Sequence, residues 1–152
     1  MLLSDNLTLA EATSSATALR KGIANKPTQQ HLLNLKEVAL HIFQPCRNHF
    51  GKPLRVTSGY RSEALNEAIG GSKKSQHSKG EALDMQSTKG YTNKELFTYI
   101  KDNLTFDQLI GEFPDNVGEY AWVHCSYKKE GNRGEVLIAI KQNGKTTYKR
   151  WD

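Results

Sequence analysis

Apolar residues recur at helical spacing through the first third of the chain and alternate with polar ones through the last third. Thr8-Leu9-Ala10-Glu11 is a capping-box signature, so a helix is expected to begin after Thr8 and to be closed by Gly22 and Pro27. Thr28 can cap the next helix, whose Leu32, Leu35, Ala39, Ile42, Phe43 and Cys46 fall on one side. Pro45 should kink or interrupt it before Phe50 and Gly51, because proline removes a donor and crowds the preceding turn. A second capping box, Thr92 to Glu95, opens a helix that buries Leu96, Phe97, Ile100 and Leu104.

Residues 54–57 alternate as a strand, a short helix is expected over 62–69, and Gly70-Gly71 ends it. The polar run 72–79 is a loop that leads into a strand over 81–86. Residues 106–112 and 121–127 predict two further strands. Residues 136–141 should pair with 145–151 through Asn143-Gly144, the strongest short hairpin signal. The expected architecture is α+β: N-terminal helices packed on a mostly antiparallel sheet, one face of which carries the functional groups. With 152 residues and neither an internal repeat nor a low-complexity linker, residues 1–152 are expected to form a single domain.

Composition narrows the function classes. Hydrophobic residues make up 37% and charged residues 24%, as in a water-soluble globular chain, and no apolar run is long enough to span a membrane. The first residues, MLLSDNLTLAEATSS, lack a basic region followed by a long apolar core, so synthesis in the cytoplasm without a signal peptide is expected. Cys46 and Cys125 have no motif spacing and are expected to be buried free thiols. The net charge of +5 favours an anionic partner. The basic residues are scattered and no groove-reading or base-stacking motif occurs, so nucleic acid is not the expected partner.

The chemistry concentrates in SGYRSEALNEAIGGSKKSQHSKGEALD, residues 58–84. There Ser75, His77, Gly80, Ala82 and Asp84 form S-x-H-x-x-G-x-A-x-D, setting an imidazole and a carboxylate on either side of a glycine. A catalytic zinc site needs three protein ligands and one open position. His77 and Asp84 on a loop-to-strand segment, with His124 of AWVHCSY on a separate strand, would meet that need. Gly80 permits the sharp turn between the first two, and small Ala82 leaves room beside the ion. Trp122, His124 and Ser126 would share one side of their strand, with Cys125 on the other.

SGYRS, SQHSKGEALD and WVH together resemble the zinc D-Ala-D-Ala carboxypeptidase family of peptidoglycan peptidases, in particular its compact phage and bacterial branch. That fold is shared with murein endopeptidases and the signalling domain of hedgehog proteins. The similarity also takes in TLAE, GIANKP, FDQLIGEF and GNRGEVL, and so covers nearly the whole chain. The resemblance implies one Zn2+ ion held by His77, Asp84 and His124. It implies that Arg61 of SGYRS lies beside the metal, holding a substrate carboxylate or oxyanion through paired hydrogen bonds. Ser75 and Trp122 are further candidates for substrate contact.

The base departs from the family pattern. Many members carry an acid three positions before the last histidine, where this chain has Ala121. If 106–112 and 121–127 pair about a turn centred near Gly118, Glu112 falls directly opposite His124 and shares its face, about 5 Å away at Cβ. Glu119 would face away in a continuous strand and regain a place only through a bulge. Hedgehog domains carry an acid in a similar place before HIHCS, which WVHCS resembles.

The expected function is therefore zinc-dependent hydrolysis of a peptide bond in bacterial peptidoglycan, by a D-Ala-D-Ala carboxypeptidase or murein endopeptidase. A phage lysin or virion-associated protein is expected, acting on the cell wall after release or from the particle, as a monomer or as part of that particle. Ala121 keeps an alternative in view: an inactive zinc-binding fold serving as a binding or structural module.

Overall fold

A computed structural model describes residues 1–152. Strands β1 (Leu2–Ser4) and β2 (Leu7–Thr8) form a small antiparallel pair that the alternation pattern did not reveal. Thr8 then caps α1 (Leu9–Thr13) with the expected box to Glu11. That helix stops early because Ser15 accepts a hydrogen bond from Ala18 N and starts α2 (Ala16–Lys21), which ends at left-handed Gly22. Thr28 caps α3 (Gln29–Val38), with the His31 ring completing the box.

Pro45 does not interrupt the next stretch. The chain widens into a π turn over Ala39–Phe43, with Gln44 N–H donating to Ala39 O, and continues as α4 (Gln44–Phe50). The wider turn accommodates the proline ring and its missing donor without breaking the rod. β3 (Arg55–Ser58), α5 (Glu63–Ala68), a 3-10 turn (Gln76–Lys79), β4 (Ala82–Gln86) and α6 (Asn93–Asn103) follow. Four strands complete the chain: β5 (Gln108–Glu112), β6 (Trp122–Ser126), β7 (Glu135–Gln142) and β8 (Lys145–Arg150).

Six strands form one mixed sheet in the order β3-β4-β6-β5-β7-β8. Only β5 and β7 run parallel. The α+β architecture thus stands, with helices early and a predominantly antiparallel sheet. Leu83 and Met85 of β4, Leu109 of β5 and Val123 and Cys125 of β6 are wholly buried in one cluster with Leu35, Val38, Ile42, Phe43, Phe97 and Ile100. Strand alternation turns their neighbours Asp84, Ile110, Glu112, Trp122 and His124 to the other face. Cys46 and Cys125 are free and buried, and burial pushes both thiols up. No helix is long and apolar enough to cross a membrane.

Candidate metal centre

Asp84 and His124 are register partners on the antiparallel pair β4–β6. Directly opposed residues project side by side, and His124 Nδ1 lies 3.0 Å from Asp84 Oδ1. His77 comes from the 3-10 turn before β4. Ser75 caps that turn by accepting from His77 N, and left-handed Gly80 closes it with φ near 76°. A Cβ at Gly80 would stand 2.6 Å from the His31 carbonyl oxygen, so both the turn and the packing require glycine. His77 Nε2 thereby comes within 3.2 Å of Asp84 Oδ1.

The opposite ring nitrogen is fixed as well. His77 Nδ1 lies 2.7 Å from Gly59 O, a bond that places the proton on Nδ1 and leaves the Nε2 lone pair facing the centre. One donor atom from each of His77, Asp84 and His124 lies within 4.8 Å of the others. Ligand atoms at bonds of about 2.0–2.1 Å around a tetrahedral ion stand roughly 3.3 Å apart. The donor set fits a metal, and these three residues could hold one. Burial alone would raise the Asp84 pKa, but in the metal-free centre the charge and hydrogen bonds of protonated imidazoles at His77 and His124 outweigh it and hold the carboxyl far below its usual range.

The triad lies in a polar cleft of about 780 Å³. Arg61, Ser75, Glu112 and Trp122 line it as well. Arg61 is tied to the 3-10 turn by its backbone N–H, which donates to His77 O. Its Nε is buried without a hydrogen-bond partner, and neither Glu63 nor Glu67 forms an ion pair with it. Burial lowers its pKa, while Asp84 raises it. Trp122 is half-buried and meets the Phe113 ring edge to face.

Glu112 shares the face of His124 but is not its direct partner. Ile110 stands opposite His124, and Glu112 stands opposite Trp122. The turn between the strands is centred one residue earlier than Gly118. Asp115 Oδ1 accepts from both Val117 N and Glu119 N and tightens it there. Moving the centre by one residue moves the register by two, so Glu112 keeps its face and becomes the diagonal neighbour, about 7–8 Å away and within a glutamate's reach. Glu112 is only 7% exposed. Burial pushes its carboxyl up to about 7, with His124 lowering it and Asp84 raising it.

Glu119 is placed elsewhere. Its carboxylate accepts from Asn93 N at 2.9 Å and Lys94 N at 2.8 Å, at the start of α6. Ala121 is exposed, and its carbonyl is bound by the Gln86 side chain.

Two features escaped the motif reading. Gln76, beside His77, donates to the buried Asp107, which Arg133 clasps through Nε and a terminal nitrogen. Burial would raise Asp107, but these bonds hold it below its usual value. The ion pair thus braces the turn that carries His77. Leu137, Thr146 and Tyr148 of the β7–β8 hairpin also line the cleft, which only the parallel β5–β7 pairing brings about.

A His–Asp–His donor set that could hold a metal shares its cleft with a buried glutamate and an arginine, the kinds of group that metal-assisted hydrolysis uses. The chain belongs to the Peptidase M15 family, whose model matches residues 5–126. Peptidases of that family are zinc-dependent, which makes the chain a zinc metallopeptidase in class. No curated protein matches the chain.

Proposed function

We propose that residues 1–152 act as one zinc peptidase domain that hydrolyses a peptide bond in bacterial peptidoglycan, as a D-Ala-D-Ala carboxypeptidase or murein endopeptidase. The observation that carries the reading is the convergence of His77, Asp84, His124 and the raised Glu112 on one cleft. One zinc ion, held by the triad, would supply Lewis-acid polarisation of the scissile carbonyl and acidify a water.

The protein's own groups do the remaining work. Glu112, on the cleft face diagonal to His124, is suited to take the proton of the attacking water and return it to the departing amine. Arg61 holds a substrate carboxylate or the developing oxyanion with its fork of donors. Its unpartnered Nε supports that role. Ser75 holds the His77 turn and, with Trp122, borders the bound peptide. Glu119, whose carboxylate is engaged at the start of α6, is not assigned the base. The net charge of +5 suits the anionic wall. The likeness to the phage branch supports a lysin or virion-associated role.

The test is to incubate zinc-loaded protein with purified peptidoglycan of several chemotypes, measuring new amino groups and fragment masses. Release by wild type, lost in His124→Ala, is the expected result, and the fragment mass names the bond. Stoichiometric zinc without cleavage of any wall would replace the hydrolase with a zinc-dependent binding module.

A further inference from the structure

The family match ends at residue 126, yet one side of the cleft comes from beyond it. Strand β7 pairs with β5 in parallel and β8 pairs back onto β7, the Asn143-Gly144 turn setting Gln142 opposite Lys145. These registers put four residues in one row across four strands. Trp122 stands beside Glu112, Glu112 beside Ala139, and Ala139 beside Tyr148. Three strand spacings of about 4.8 Å set the two aromatic positions roughly 14 Å apart.

Glu112 and Ala139 fill the middle of the row. Ala139 has only a methyl group and is wholly buried although it stands on the cleft face. The next row on that face adds apolar Ile110 and Leu137 to the floor. Trp122 and Tyr148 thus stand at two sides of the cleft, with Glu112, Ile110 and Leu137 between them. Tyr148 is 54% exposed and lines the cleft. Burial raises its phenol, and Glu112 and Asp84 raise it further.

We propose that Tyr148 is a substrate-binding residue supplied by the C-terminal hairpin, forming with Trp122 the two walls of a subsite for an extended peptide segment that lies over Ile110 and Leu137. The tyrosine keeps its proton throughout. Its ring packs on the peptide and its hydroxyl hydrogen-bonds to the peptide backbone. The inference rests on the peptidase reading and deepens it, because it names a side chain of the C-terminal hairpin that holds the peptide.

The experiment uses the full chain loaded with zinc and soluble muropeptides prepared from a wall that wild type cuts. Tyr148→Ala is expected to raise KM ~10-fold, the worth of one aromatic contact, with kcat little changed and zinc content unchanged. Tyr148→Phe should keep most of the binding. Lys149→Ala, one residue along and on the opposite face of β8, should match wild type. Binding of the same muropeptides to Glu112→Gln, followed by tryptophan fluorescence, should weaken to a similar degree when Tyr148→Ala is added. If wild type cuts and Tyr148→Ala leaves both KM and this binding unaltered, the subsite is overturned while the peptidase reading stands. If wild type cuts no wall, the peptidase reading fails, and unsaturable fluorescence with muropeptides from the same walls overturns the subsite with it.

Discussion

Asp84 and Met85 are adjacent in sequence and lie on opposite faces of one sheet, and the two faces obey different rules. Met85, with Leu83, Val123, Cys125 and Leu109, is wholly buried among helix side chains. There, apolar volume and packing are what matter. Asp84, His124 and Glu112 stand one position away and crowd ionisable groups into a partly dry cleft. That face works against stability, because buried charge without full compensation is costly. The helix face supplies the rigidity that keeps the cleft face in place.

Substitutions on the two faces should therefore separate folding from chemistry. The largest effect is expected from Asp84→Ala, which removes the atom that both imidazoles meet. Metal affinity should fall by more than the ~100-fold typical of losing an outer partner. Metal analysis of the folded protein checks this, and full zinc occupancy would contradict it. On the other face Met85→Ala should cost ~2–5 kcal/mol, seen as a lower denaturation midpoint, with metal stoichiometry preserved in the folded protein.

Glu112 sharpens the contrast through pH. Its folded pKa, raised from 4.5 to about 7, means that the folded state binds its proton more tightly than the unfolded state does. The stability this contributes is fully present below pH 4.5 and is lost as pH rises through about 7. In metal-free protein, Glu112→Gln should therefore be more stable than wild type above that window and show no such gain below it. Denaturation midpoints across the window test the sign. The smallest effect is expected at Glu119, which accepts from two backbone N–H groups at the start of α6. Glu119→Ala should cost ~1 kcal/mol, as lost helix caps do, and leave hydrolysis near wild type.

The sequence made some of this legible and hid the rest for physical reasons. Helix starts were readable because the box residues at Thr8 and Thr92 act locally. The donor triad was readable because His77, Gly80 and Asp84 are fixed by one short turn, and His124 needed only strand parity. The register of β5 on β6 was one turn residue off, since it depends on how the Asp115 carboxylate folds the loop. Parity survived, because two residues of slip return a side chain to the same face. The hairpin was visible at Asn143-Gly144, but its place beside β5 was not. Parallel pairing after a long connection leaves no local signature. The π turn at Pro45 was not foreseen because a proline inside a helix can be met by a kink, a break or a widened turn.

The most direct test is the wall-cleavage rate of zinc-loaded Glu112→Gln beside Glu119→Gln, with metal content measured on both. Glu112→Gln is predicted to keep its zinc and lose ~100-fold or more in rate, as loss of a general base gives, while Glu119→Gln cuts like wild type. A rate loss that follows Glu119, with Glu112→Gln fully active, would contradict the assignment of the cleft's chemistry.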